Sequence, residues 1–237
     1  MVEKPQSAEI HPGLGFRIRY RFERPAYDSI AGLCRFKIPE ISDCMNRLYT
    51  ISRTITCHTK LSGSLLGPAC TVRVYPGDNL MVHKVLDIAQ PGDVVVIDAG
   101  GSGETAVLGD SVCTKAKHRK IAGFVVDGLV RDIVGVRKTN LPVFARGVTA
   151  IGPLHRGPGE INFPIQCGGV VVHPGDVMIG DENGIVAIPK DSVEALIRQL
   201  GNKAATETAY KAAVRRGEFS NVWVDRILDD AGCEYIK

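Results

Sequence analysis

Residues 91–132 read PGDVVVIDAGGSGETAVLGDSVCTKAKHRKIAGFVVDGLVRD, and this stretch decides the fold. Val94, Val95, Val96 and Ile97 form a continuous β-branched run, entered through the turn Pro91-Gly92-Asp93. A strand that is apolar at every position, instead of at alternate ones, is covered on both faces, as in a parallel sheet. Residues 121–126 are a second run of this kind, and 106–118 between them have helix-forming composition. Strand, helix and strand make a βαβ unit, whose crevice lies at the C-terminal ends of its strands.

Working outward, 70–74 predict a short strand and 79–89 a helix with Leu80, Val82, Val85 and Ile88 on its apolar side. Residues 38–50 (IPEISDCMNRLYT) predict a short helix with Pro39 near its start. Residues 1–35 are polar and irregular, an expected N-terminal arm. Downstream, Arg131 and Asp132 open a further short helix, with Asp127-Gly128 as the preceding turn, and a strand follows at 142–145. From Gly168 the pattern changes to hairpins, GGVVVHPGD, VMIGDENG and IVAIP, with turn residues at each junction. Pro189 closes them, Asp191 or Ser192 caps a helix running to about Arg216, and 222–231 are amphipathic. The expectation is a single α/β domain over 1–237. It has a partly parallel central sheet, β-hairpins, and a helical C-terminal extension over 191–237.

A chain of 237 residues with 44% hydrophobic content can bury a substantial core. Net charge is +3, from 29 basic and 26 acidic residues spread along the chain, which is no footprint for nucleic acid. The clusters at 115–120 and Arg215-Arg216 read as solvated helix faces. No apolar run reaches the ~18 residues that span a bilayer, and MVEKPQSAEIHPG lacks the apolar stretch of a signal peptide. A cytoplasmic protein without membrane or nucleic-acid partners is expected. Seven widely spaced cysteines with no CxxC pair read as reduced thiols, most of them buried. Cys57-His58 is their only histidine adjacency, and neighbours in sequence rarely face one substrate.

Gly100, Gly101 and Gly103 follow the first strand and permit an anion-binding turn. Residues 101–106 match GxGxxA, the dinucleotide fingerprint, with Asp127 as the ribose-binding acid. Against that reading, Asp127 lies 26 residues beyond Gly101 instead of ~20, and Glu104 would sit beside the phosphates. A carboxylate cradle suits the loop better. Gly109-Asp110-Ser111-Val112 and Arg131-Asp132 end neighbouring strands, so both can face one crevice. Asp132 offers an oxygen ligand to Mg²⁺, which favours one or two carboxylates plus water. Arg131 offers a planar fork for a carboxylate or enolate oxygen.

With those residues in place, the chain resembles the RraA-like proteins, which include metal-dependent 4-hydroxy-4-methyl-2-oxoglutarate/4-carboxy-4-hydroxy-2-oxoadipate aldolases. The resemblance runs from about 65 to 190, through PGDVVVIDAGG, LGDSV, GFVVDGLVRD, PVFARG and GGVVVHPGDVMIGDENGIVAIP. It implies a layered α/β/β, swivelling-domain-like architecture and a homotrimer or homohexamer. Gly109, Asp110, Ser111, Val112 and Arg131 would bind the pyruvyl end of a 2-oxo acid substrate. Asp132 would ligate the metal, expected as Mg²⁺ with Mn²⁺ or Co²⁺ also suited to oxygen donors. Glu207, on the C-terminal helix, would act in an adjacent subunit's site. The implied reaction splits a 4-hydroxy-2-oxo acid into pyruvate and a second carbonyl compound, with oxaloacetate decarboxylation as a side activity. Asp110 would hold the proton-carrying water. The motif does not fix what meets the distal end of the substrate; His155 and Arg156 are candidates for it, and a solvated loop is their other reading.

One departure is visible: the family pattern has an acid three residues after the metal ligand, and this chain has Gly135. A second branch of the family regulates a ribonuclease by binding it. Those proteins are typically shorter and acidic, whereas this chain is longer at both ends and slightly basic.

Overall fold

The computed structural model describes residues 9–101 and 103–236 of the chain. Residues 1–8 of the expected arm therefore lie outside the description, as does Ser102 of the glycine loop. Two compact units are present, one reaching Ile197 and one starting at Arg198. All strands among the described residues belong to the first. In chain order it contains β1 (Phe16–Ile18), α1 (Tyr27–Ile30), α2 (Ile38–Cys44), β2 (Thr56–Cys57), β3 (Leu65–Val74) and α3 (Leu80–Val85). Next come β4 (Val94–Asp98), β5 (Ala106–Leu108), α4 (Asp110–His118), β6 (Gly123–Val130), α5 (Ile133–Lys138) and β7 (Val143–Val148). The hairpin section holds β8 (Gly159–Ile161), β9 (Ile165–Cys167), β10 (Val170–Val172), β11 (Val177–Asp181) and β12 (Gly184–Ile188). Helix α6 (Val193–Arg215) runs into the second unit, which also holds α7 (Val222–Asp230). Among the described residues no helix is long and apolar enough to cross a membrane.

Strands β3, β4, β6 and β7 are parallel neighbours, as the two apolar runs require. Their register explains why those runs do not alternate with polar residues. Cys70, Val95, Phe124 and Val143 stand in one row across the four strands. All four belong to a core shared with Val82 and Val85 of α3, Cys113 and Ala116 of α4, and Val136 of α5. The next row, Val96, Val125 and Phe144, points the other way. It enters a second core with Cys167, Val172, Met178 and Ile185 from the hairpins. Helices cover one face and hairpins the other, so the layers are α/β/β. Alternate residues of each strand feed different cores, and apolar burial at ~25 cal/mol per Å² drives both.

Several local expectations are corrected. Residues 106–118 are not all helix: Ala106, Val107 and Leu108 are fully buried and pair with β6 as strand β5. Three consecutive apolar residues have no solvent side to offer a surface helix, and helix begins only after Gly109. Asp127-Gly128 is not a turn, because β6 continues through it to Val130 with a register shift between Val126 and Leu129. Helix α2 stops at Cys44, since Asn46 and Arg47 take left-handed φ values of 55° and 65°. The N-terminal arm contributes a strand, β1, laid parallel on β8. Of the cysteines, Cys70, Cys113 and Cys167 are buried, while Cys34 and Cys233 are exposed, so burial is not their general condition.

Candidate functional site

Strands β5 and β6 end side by side, and the Arg131 amide donates to the Leu108 carbonyl at 3.0 Å. The residues that follow each strand are thereby brought together, through a strand, β5, where the sequence reading expected helix. Gly109 is the N-cap of α4, in extended conformation and without a side-chain cap. The amides of the first turn of α4 have no acceptor within their own helix, and the helix dipole adds positive potential there. Val112 points its side chain into the core, at 4% exposure, so only its amide can serve a ligand. Ser111 Oγ donates to Asp110 Oδ1 at 3.3 Å.

Asp132 is the N-cap of α5 at φ 54°, ψ 39°, with no side-chain cap. Aspartate tolerates this left-handed region better than most residues, and such outliers gather at functional positions. Arg131 Nε lies 3.3 Å from Asp132 Oδ2, with the two side chains 42% and 49% exposed. The Asp132 carboxylate rests on Gly109: a Cβ there would stand 2.6 Å from Asp132 Oδ2. Asp110 in turn rests on Gly135, where a Cβ would stand 2.5 Å from Asp110 Oδ2. A carboxylate thus fills the space beside position 135, supplied by α4 instead of α5.

A cleft of ≈ 640 Å³ opens from Asp110 and Gly135 along α4 and α5, past Thr114, Lys117 and Lys138. Asp132 offers a single carboxylate at the end of β6, and among the described residues no cluster of three His, Cys, Asp or Glu side chains is placed to hold a metal ion. This suits Mg²⁺, which keeps most of its waters, and does not suit an all-protein cage. Cys113 lies one turn behind Asp110. Burial, reinforced by the Asp110 charge, pushes its thiol up to about 12, so it is no nucleophile. Cys57 Sγ donates to the Thr59 carbonyl at 3.1 Å and His58 Nε2 faces the Ala145 carbonyl at 3.2 Å, so this adjacency forms no dyad.

The glycine loop departs from both of its expected roles. No helix follows it, since β5 comes next. The Gly100 amide donates to Asp98 Oδ1 at 3.0 Å and the Gly101 amide to the Asp127 carbonyl at 3.1 Å. The amides of Gly100 and Gly101 are thus engaged by Asp98 and by strand β6 and are not aimed at an anion. Asp127 is 5% exposed and binds Arg146 through one oxygen and the Gly168 amide, at 2.6 Å, through the other. It has no face left for a ribose. His155 Nδ1 meets Asn79 Oδ1 at 2.6 Å, and the Arg156 amide donates to Asp78, so both tie their loop to the start of α3. The same loop carries Gly152, on which the Arg131 guanidinium lies. Sequence reasoning did not single out Gly152; only its space-making role marks it. Glu207 belongs to the second unit, paired with Lys203 at 3.6 Å and Lys211 at 2.7 Å along α6.

Comparison with known proteins follows the same residues. A family model described as RraA-like, Aldolase/RraA, matches residues 38–187. A Halalkalibacterium halodurans protein carrying the provisional name 4-hydroxy-4-methyl-2-oxoglutarate aldolase is 43% identical over 73% of this chain and 82% of its own. The Thermus thermophilus protein named 4-hydroxy-4-methyl-2-oxoglutarate aldolase is 36% identical over 52% of this chain and 75% of its own. Among solved structures, Streptomyces coelicolor RraAS2, described as an unusual member of the RNase ES inhibitor RraA family, superposes with TM-score 0.72. It is 27% identical, over 81% of this chain and 99% of that one.

Proposed function

The chain belongs to the RraA-like family, and on that premise we propose that it is a divalent-metal-dependent aldolase that cleaves a 4-hydroxy-2-oxo acid to pyruvate and a second carbonyl compound. One observation carries the reading: the amide turn at Gly109, the Arg131 fork and the Asp132 carboxylate converge where β5 and β6 end. The aldolase names of the relatives from Halalkalibacterium and Thermus support it.

In this mechanism Asp132 would hold the metal, and a bound Mg²⁺ or similar ion would supply Lewis-acid stabilisation of negative charge. The amides of Asp110, Ser111 and Val112 bind the substrate carboxylate at the α4 N-terminus. Arg131 donates to the pyruvyl oxygen as it gains charge. Asp110 holds a water that takes the proton from the C4 hydroxyl; the C3–C4 bond breaks, its electrons move toward the pyruvyl oxygen, and C3 is then protonated to the methyl of pyruvate. Loss of CO₂ from oxaloacetate develops the same charge, so oxaloacetate decarboxylation accompanies the main activity. Glu207 completes the site from an adjacent subunit of a homotrimer or homohexamer.

The test is a pyruvate-release assay over a panel of 4-hydroxy-2-oxo acids and oxaloacetate, with and without Mg²⁺. Arg131→Lys should keep the charge, lose the bidentate geometry, and lower kcat/KM by about 1.5 to 3 kcal/mol, roughly 10- to 150-fold. A lysine variant as fast as wild type would remove Arg131 from the site. A second reading, a regulator that binds a ribonuclease, draws on the Streptomyces structure. Ribonuclease inhibition without metal-dependent turnover would favour it.

A further inference from the structure

We infer that Gly135 and Gly152 are positioning residues of this site, each providing the space in which one charged side chain rests. The inference builds on the pyruvate-handling reading above. At position 135 the three atoms nearest to a Cβ would all belong to the Asp110 side chain: Oδ2 at 2.5 Å, Cβ at 2.7 Å and Cγ at 3.0 Å. At position 152 the three nearest would all belong to the Arg131 guanidinium, with Nη1 overlapped, Cζ at 3.2 Å and Nη2 at 3.9 Å.

Neither glycine has a positive φ, so the backbone does not demand glycine at either place. Space does. The glycines that serve the fold have other neighbours: Gly67 abuts the Gly92 carbonyl, Gly159 the Arg73 carbonyl and Gly175 the Glu23 carbonyl. Gly135 and Gly152 instead touch the two side chains assigned to proton handling and charge stabilisation.

This contact has a different consequence from one in the core. The Arg131 side chain is 42% exposed, so a methyl at 152 would turn its guanidinium into solvent with little effect on folding. The fork would then no longer point at the substrate. At 135, which lies within α5, the added methyl would stand 2.7 Å from Asp110 Cβ, an atom fixed to α4, so alanine there shifts α4 against α5 as well as displacing the Asp110 carboxylate. Gly152→Ala thus changes geometry with little change in stability, whereas Gly135→Ala changes geometry at some cost in stability. A misplacement near 1 Å is enough to cost catalysis heavily.

The experiment compares Gly135→Ala, Gly152→Ala and a control, Gly63→Ala, whose added methyl would meet nothing within 4 Å. Melting temperature and steady-state kinetics are measured on the full chain with Mg²⁺. Both site variants should lose roughly tenfold or more in kcat/KM, Gly152→Ala while melting close to wild type and Gly135→Ala with a lowered melting temperature, while the control keeps both. The pairing is tested by repeating Gly152→Ala in an Arg131→Lys background and Gly135→Ala in an Asp110→Gly background, which removes the Cβ together with the carboxylate, and each should then cost little further activity. Full activity in either single variant, or losses that simply multiply in the double variants, would overturn the positioning role while leaving the aldolase reading intact. A wild-type protein that releases no pyruvate from any substrate in the panel would overturn both.

Discussion

Asp132→Asn is expected to lower metal-dependent pyruvate release by about a thousandfold while the protein stays folded. The number follows from the several kcal/mol a coordinated cation contributes to a developing negative charge; about 4 kcal/mol is three decades in rate. Asparagine is the informative replacement because position 132 sits at φ 54°, where asparagine and aspartate are both tolerated. Alanine there would add a left-handed strain of about 1–2 kcal/mol and blur the result. The ion pair lost with the charge, Arg131 Nε to Asp132 Oδ2 at 3.3 Å, is about half in solvent on both sides and contributes at most ~1 kcal/mol. Stability should therefore change little. The measurement is pyruvate release against Mg²⁺ concentration for wild type and variant, with EDTA as the zero point. Wild-type turnover that survives EDTA, or a variant that follows the wild-type curve, would sink the role of Asp132.

How much of this was readable beforehand depends on how local each cause is. The runs at 94–97 and 121–126 announced a doubly covered sheet because burial on two faces writes itself into every residue of a strand. The hairpins announced themselves through turn chemistry at fixed intervals. Asp110, Arg131 and Asp132 were legible through LGDSV and GFVVDGLVRD, the text that carries the resemblance, although the strand that delivers Asp110 was not. Strand β5 was hidden: Ala106-Val107-Leu108 favours a helix by propensity, and only its pairing with β6 overrides that. The glycine loop misled for a similar reason. Its sequence fits an anion turn, yet the Gly101 amide bonds the Asp127 carbonyl of the adjacent strand, a partner 26 residues away that no local pattern reveals. Gly135 was noticed as a missing acid, but what it makes room for, the Asp110 side chain, depends on how α4 and α5 face each other.

Arg146→Met should be the most damaging substitution for stability around the site, at about 3 kcal/mol. Arg146 Nε pairs with Asp127 Oδ1, and Arg146 Nη1 donates to Thr54 Oγ1 at 2.6 Å. Asp127 is 5% exposed, and its other oxygen accepts from the Gly168 amide. Removing the guanidinium strands a buried carboxylate, which costs ~3–5 kcal/mol when a buried pair is broken. The low end applies because 26% of the Arg146 side chain remains in solvent. For a chain of this size that corresponds to a fall in Tm of roughly 6–12 °C. Asp127→Asn combined with Arg146→Met should recover part of the loss, since asparagine still accepts from Gly168 and leaves no unpaired charge. If the two losses simply added, the pair would not be coupled. The same contacts decide the fate of the dinucleotide fingerprint: a carboxylate committed to Arg146 and Gly168 cannot also bind a ribose, so titration of the wild type with NAD(H) should give no saturable binding. Saturation would mean that Asp127 is released from Arg146, and the cycle would then show no coupling either.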